Sequence, residues 1–390
     1  MKILYLSPDP KMSLSDPRGY SIHMTELIRA FRQIGNEVVA VVAGQPTNIK
    51  NKFTPRSARI IRRILPGRII ETTRTAWDIF SDYKSYFQAK KALVTFSPDF
   101  IYERYAVFHQ SGVTLSKRYH VPIILEVNSP LWERDVHYGH RRRSLAQKIE
   151  KRVLLSGDAI VVVSNFLRDY LLNLGIPASK IHVIMNAADS HIFNPHIDGN
   201  VIRRKYGIDN KVVVGFVGGF AIRHGIDLLL AVAPEITKEN DDIHFLVVGD
   251  GIGQDLYEKH LRESSLLKRV TFTGSVSYQN IPHYIAAMDI TVVPDTANYC
   301  SPIKLFEYMA MGKAIVAPHL ETIEHIITHG QNGLLTTPRD KESLRYTILK
   351  LSKDRRLRYQ LGMNARRMLL EHHTWEKNAE RVIQIFSSLS

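Results

Sequence analysis

Thiol chemistry is almost absent from this chain, whose 390 residues include one cysteine, Cys300. A disulfide framework is excluded, and a lone thiol fits a reducing compartment. Long apolar runs are missing too: nothing approaches the roughly 18 consecutive apolar residues of a membrane span. The opening Met1–Pro8 is too short, and too soon broken by Pro8, to read as a secretion signal. The expectation is a cytoplasmic protein. No internal repeat and no low-complexity tract is found. Acids are scarce, 38 Asp and Glu against 52 Lys and Arg, which leaves a net charge of +14 and a pI near 9.7. Such a surplus predicts an anionic partner: nucleic acid, an acidic membrane surface or a phosphorylated substrate. Nucleic acid gains no further support, because no binding motif or aromatic ladder accompanies the charge.

What is present is a recurring alternation of short buried strands and helices. Residues 2–7 form an apolar run that stops at Pro8, and an amphipathic helix follows with Ile22, Leu27, Ile28 and Phe31 on one face. Gly35-Asn36 closes that helix and residues 37–43 make the next strand, which gives a βαβ unit and a parallel sheet. Strand-like runs recur at 100–102, 122–127 and 158–163, then in a second series at 212–217, 243–248, 270–272, 290–293 and 314–317. The fold class is therefore α/β, two tandem doubly wound Rossmann-like domains. The divisions expected are 1–190, 191–370 and a last helix, 371–390, with the mostly helical segment from Leu344 packing back on the first domain.

The densest chemistry lies at Ser301-Pro-Ile-Lys304-Leu-Phe-Glu307-Tyr-Met-Ala-Met-Gly312. A loop feeding a helix N-terminus is an anion site, because orphan amides and the helix dipole both favour negative charge. A carboxylate one turn further in, Glu307, suits a diol such as a ribose. A helix start at Pro302 with Glu307 in solvent would be the plainer account, but three further loops at strand ends argue for a nucleotide cleft. These are Gly218-Gly219-Phe-Ala-Ile-Arg223-His224-Gly225, Gly249-Asp250-Gly251-Ile-Gly253, and Thr273-Gly274-Ser-Val276. The second is not the dinucleotide fingerprint, since no acidic residue closes a strand about 20 positions on.

These residues resemble the retaining glycosyltransferases of family 4, glycosyl transferases group 1, whose GT-B fold sets two such domains facing across a cleft. The likeness rests on Val217–Phe220 with His224-Gly225, Val248–Gly251, Ser301–Lys313, Gly19-Tyr-Ser-Ile-His23 and Trp375-Glu376. It implies that Glu307 holds the ribose hydroxyls and that Lys304 lies near the pyrophosphate. It also implies that the amides of Ile303, Lys304 and Leu305 face the diphosphate or sugar, and that Gly19 approaches the phosphates. Gly218, Gly219, Arg223, His224, Gly249, Gly251 and Val276 complete the expected donor site. Lys304 and Arg223, with Glu126 and Asn128 on the acceptor side, are the expected catalytic residues. Two departures from the family pattern stand out. Tyr299 occupies the place of a first glutamate, and Gly219 and His224 replace the usual Arg and Lys of the phosphate loop. Asn128 stands where members often carry a histidine after Leu125-Glu126-Val127.

The remaining features are weaker. Tyr102–Tyr105 end a strand beside Glu126, and His23 near a helix start reads as a cap or rim residue as readily as a catalytic one. His137 and His140, or the adjacent His372 and His373, lack partners at ligand spacing, so no metal is expected, and no cofactor beyond the nucleotide sugar as co-substrate. Residues 50–74 carry eight cations against one acid, Glu71, interleaved with Ile60, Ile61, Ile64, Leu65 and Ile69. This reads as a surface for anionic lipid on the inner face of the membrane, with Arg141–Arg143, Lys148, Lys151 and Arg152 as a second patch. The expected partners are a nucleoside diphosphate sugar, a sugar or lipid-linked acceptor in polysaccharide assembly, and that anionic membrane surface, with no nucleic acid. The alternatives are a nucleotide-sugar epimerase or phosphorylase on the same fold, and a basic membrane- or nucleic-acid-binding module without catalysis.

Overall fold

The computed structural model describes residues 1–16, 18–44, 67–133, 143–251 and 266–389. The chain divides into two compact units, Met1–Met185 with Glu376–Ser390, and Asn186–Trp375. The sequence divisions at 190 and 370 thus compare with 185 and 375.

The first unit holds a six-stranded parallel sheet of β1 (Lys2–Ser7), β2 (Glu37–Val42), β3 (Phe100–Arg104), β4 (Ile123–Val127), β5 (Ala159–Val162) and β6 (Ile181–Val183), in the order β2-β1-β3-β4-β5-β6. Strands β1, β3, β4 and β5 are buried on both faces apart from Lys2, which is why they read as unbroken apolar runs rather than alternating ones. Helices α1 (Gly19–Gln33), α2 (Gly67–Phe96), α3 (Ser111–Tyr119), α4 (Arg143–Ser156) and α5 (Asn165–Asn173) connect them. Chain order reverses between β1 and β3, the position where open α/β sheets leave a crevice at the strand carboxyl ends.

The second unit repeats the plan with β7 (Val212–Val217), β8 (Ile243–Val248), β9 (Val270–Phe272), β10 (Ile290–Val292), β11 (Ala314–Pro318) and β12 (Leu334–Thr336), in the order β12-β11-β10-β7-β8-β9. Its reversal lies between β7 and β10. Around the sheet run α6 (Asn200–Tyr206), α7 (Ile226–Glu239), α8 (Ile281–Ala286), α9 (Ile303–Ala310), α10 (Glu321–Glu324), α11 (Lys341–Lys353) and α12 (Arg355–His372). Helices α7 and α11 share one apolar core with the strands, through Ile226, Leu229, Leu344 and Ile348.

Three expectations need correction. Strands β6 and β12, each of three residues at a sheet edge, were not foreseen. The helices from Leu344 do not all return to the first unit, since α11 and α12 belong to the second. The return is made by the last helix, α13 (Trp375–Ser387). There Phe386 stacks on Phe100 at 4.6 Å and Asn378 Nδ2 donates to the Met185 carbonyl at 2.8 Å.

Strand alternation sorts the end of β3. Tyr102 and Arg104 turn to one face, toward Glu126, while Glu103 turns to the other and is fully buried against the Gly112 backbone at the start of α3. Neither oxygen of Glu103 makes a well-formed hydrogen bond. Burial, and then the nearby charge of Asp82, push its carboxyl well above the usual range, against a smaller pull from the Gly112 amide. A raised folded pKa contributes stability that is fully present below the unfolded value, about 4.3, and is lost as pH climbs toward the folded value. The Glu103→Gln variant keeps the shape without the charge. Its melting temperature relative to the parent should therefore rise steadily from pH 5 to pH 8, as thermal melts across that range would show, and a pH-independent difference would refute the neutral carboxyl.

Candidate functional site

In the second unit, the loops leaving β7 and β8 touch backbone to backbone. A Cβ on Gly249 would fall 2.2 Å from the Gly218 carbonyl oxygen, and Gly249 has φ +127°. Only glycine fits such an approach, and a side chain there would also be strained. The Gly218 amide donates to Val248 O at 2.9 Å, and Phe220 N to Asp250 O at 3.0 Å. Gly251 packs on Phe220, where a Cβ would lie 2.7 Å from the amide nitrogen. Gly249 N in turn donates to Gly274 O at 3.1 Å, and Val276 follows two residues later. The three glycine loops of the sequence are thus one laced rim.

Helix α9 enters this rim from below. It is buried nearly all round, from Leu305 to Ala310, including Glu307 at 4% exposure. The Val217 amide donates to Tyr308 Oη at 2.8 Å, which ties α9 to the end of β7. At its far end Gly312, φ +63°, lets the chain turn into β11. Its near end is fixed by Asn186, whose amide donates to Ser301 Oγ at 2.9 Å and whose side chain donates to the Ser301 carbonyl. Of the three amides expected to face an anion, that of Leu305 already donates to Pro302 O at 3.0 Å.

Lys304 reaches out of α9 to the glycine rim. Its Nζ lies 4.2 Å from the centre of the Phe216 ring and 2.5 Å from where a Cβ on Gly218 would be. Desolvation there is the largest influence and lowers its pKa to about 7, with Arg223 adding to the fall and Glu307 opposing it. His224 is shifted down to about 4, first by burial and then by the charges of Lys304 and Arg223. Its Nδ1 is 2.7 Å from the Gly219 carbonyl. A carbonyl only accepts, so Nδ1 carries the proton and the imidazole is neutral at pH 7. Of Arg223, His224 and Lys304, His224 therefore brings no charge and closes the loop.

In the first unit Glu126, fully buried at the end of β4, gathers four partners. Tyr102 Oη donates to Oε2 at 2.7 Å, His23 Nε2 lies 2.9 Å from the same oxygen, and Arg104 donates to Oε1 at 2.7 Å. Asn128 Nδ2 also donates to Oε1. Burial opposes ionisation, but the charges of His23 and Arg104 outweigh it and hold the carboxyl well below the usual range. Glu126 is thus a fixed anion.

Comparison with known proteins bears on both halves. Residues 198–368 match the family of glycosyl transferases group 1, and residues 17–192 match glycosyltransferase family 4. The chain belongs to the group 1 glycosyltransferases. Among curated relatives, alpha-D-kanosaminyltransferase of Streptomyces kanamyceticus is 25% identical over 224 residues, covering 57% of this chain and 58% of that one. The chain spans about three fifths of the length of the first curated relatives it matches. An uncharacterized glycosyltransferase of Methanocaldococcus jannaschii is 23% identical over 382 residues, covering 95% of both chains. Anabaena HepE, solved in complex with UDP, superposes with a TM-score of 0.74 over the whole of both chains at 19% identity, a likeness of fold.

Within this family member the glycine rim, Lys304, Glu307, Arg223 and His224 come together in one unit, and no described contact brings Val276 to them. Glu126 and Asn128 come together in the other. Gly19 opens α1 in the first unit, next to Arg18, whose Nε donates to Asp16 at 2.9 Å. Most of the basic segment 50–74, the 141–142 arginines, His137, His140 and Gly253 lie outside the described residues; among those described, no His, Cys, Asp and Glu cluster could hold a metal. Sequence reasoning set Arg104 near Glu126 but missed His23 as its partner, because 103 residues separate the two.

A depressed folded pKa contributes stability that is present above the unfolded value and is lost as pH falls through the folded one. Glu126→Gln should destabilise the chain by roughly 3–5 kcal/mol at pH 7, because the buried Arg104 guanidinium loses its counter-charge. Urea denaturation at pH 7 and pH 3 checks this: the deficit should shrink at acid pH, and an equal deficit at both would show that the charge was irrelevant.

Proposed function

We propose that the chain transfers a sugar from a nucleoside diphosphate sugar to an acceptor, with retention at the anomeric carbon. The observation that carries this reading is the seat of Lys304, an ammonium poised against Gly218 at the chain reversal of the second sheet, one helical turn from buried Glu307. HepE, which shares the fold, was solved with UDP, and a uridine diphosphate is the donor nucleotide we infer.

In this reading the diphosphate lies on the glycine rim and the N-terminus of α9. The amides of Ile303 and Lys304, the Lys304 ammonium and Arg223 face its oxygens, and Glu307 accepts from the ribose hydroxyls. As the bond from the anomeric carbon to the diphosphate oxygen breaks, these donors stabilise the charge that develops on the leaving group. The acceptor hydroxyl bonds to the same face of the carbon and gives its proton to a phosphate oxygen. No metal is required, since fixed cations neutralise the leaving group. Glu126, locked as an anion by His23 and Arg104, organises the acceptor side and takes no proton. The acceptor is a lipid-linked sugar or polysaccharide precursor, and the enzyme works as a peripheral protein on the inner face of the membrane.

Two measurements test this. Saturating UDP at about 100 Kd should stabilise the chain by about 2.7 kcal/mol, and Glu307→Ala should weaken UDP about 10- to 100-fold through loss of charge-assisted hydrogen bonds. Calorimetry across pH provides a second check. With Lys304 near pKa 7 in the empty site, anion binding must take up its proton. UDP affinity should therefore fall about tenfold per unit above pH 7, and the slope should vanish in Lys304→Met. UDP binding untouched by either substitution would remove the donor site from this pocket.

A further inference from the structure

Helix α2 is built inside out. The residues it buries are small or polar, Asp78, Ser81, Ser85 and Ala89, with Leu93. Asp82 accepts from the Gln110 and Ser111 amides at 3.0 Å each and so holds the start of α3. The opposite face, stepping by three or four residues, is Trp77, Phe80, Lys84, Phe87, Lys91 and Val94, flanked by Tyr83. Trp77 and Phe80 are each 60% exposed, Tyr83 64% and Phe87 49%. A soluble helix turns such residues inward, and so large an exposed aromatic face marks a contact surface.

A second feature adjoins it. Helices α2, α3 and α4 lie side by side. Arg118 of α3 donates to Tyr86 Oη at 3.3 Å, and Lys117 of α3 donates to Ser156 Oγ at the end of α4 at 2.9 Å. Between α3 and α4 runs a groove lined by Lys117, Lys148, Lys151, Arg152, Leu155 and Ser156. The one acid of α4, Glu150, is turned inward, where Tyr170 Oη donates to it at 2.9 Å. Leu145 and Leu155 are exposed alongside the cations. One helical layer therefore presents aromatic side chains and lysines together.

We propose that this layer of α2, α3 and α4 docks on an anionic lipid bilayer, with Trp77, Phe80, Tyr83 and Phe87 entering the headgroup–acyl boundary and the α3–α4 groove taking lipid phosphates. It extends the peripheral location proposed above. Charge decides between a bilayer and a second copy of the chain. A two-fold pairing of α2 would place Lys84 and Lys91 opposite lysines of the other copy, whereas anionic headgroups neutralise them, and aromatic rings with flanking cations suit an interface between water and lipid.

The test is flotation of the full chain with mixed phosphatidylglycerol–phosphatidylcholine vesicles and with phosphatidylcholine alone. The chain should float with the mixed vesicles only, and Trp77 emission, isolated by comparison with Trp77→Phe, should shift to the blue. The double variants Phe80→Ser with Phe87→Ser, and Lys148→Glu with Lys151→Glu, should each lower partitioning about tenfold. Their melting temperatures should match the parent, because the altered side chains are exposed. Failure of the parent to float, flotation of both variants equal to that of the parent, or a dimer in sedimentation that Phe80→Ser with Phe87→Ser dissolves would each overturn the proposal. UDP binding in solution reports on the transferase reading alone: vesicle binding without UDP binding removes that reading and leaves the surface standing.

Discussion

The architecture of the glycine rim depends on one contact, the approach of Gly249 to the carbonyl of Gly218. Parallel strands 4.8 Å apart would normally send their loops outward with side chains between them. Removing two Cβ atoms lets the loops after β7 and β8 close on each other, and their amides and carbonyls then satisfy one another, Gly218 to Val248 and Phe220 to Asp250. The resulting rim exposes backbone at Gly218, and the Lys304 ammonium rests between it and the Phe216 ring. Helix α9 supplies that ammonium because Asn186 and Tyr308 pin it at both ends of its first two turns.

The two units solve their polar problems differently. In the second, cations are left under-compensated: Lys304 and His224 are pulled toward neutrality by burial and mutual repulsion. In the first, the Glu126 carboxylate is held between His23, Tyr102 and Arg104. An under-compensated site gains from a charged ligand; a paired carboxylate holds shape. In the function proposed above, this contrast puts the mobile charge on the donor side and rigidity on the other.

How much of this was legible in the sequence follows from range. Ten strands stood out because each is a buried apolar run bounded by turn residues, and the Ser301–Gly312 motif stood out because loop, carboxylate and glycine are local. Strands β6 and β12, three edge residues each, were not read. Within the Glu126 cluster His23 escaped, because it comes from α1 while the other members close β3 and β4. His224 reads as a cation by residue type, and only the proximity of Lys304 and Arg223 with the Gly219 carbonyl makes it neutral. The aromatics of α2 carried no sequence reading, and only the placement of Asp78, Ser81 and Ser85 on the inner face shows that they turn outward.

The return of α13 has a consequence for synthesis. Asn378 binds the carbonyl of Met185, and Phe386 stacks on Phe100, so the second unit is, in chain terms, an insertion between two parts of the first. A ribosome delivers residues 186–375 as one contiguous block that can complete its core as it emerges. The first unit, although begun earlier, lacks α13 until residues 376–387 are made. The half begun first is therefore completed after the second, and the covering of Phe100 has to await Phe386.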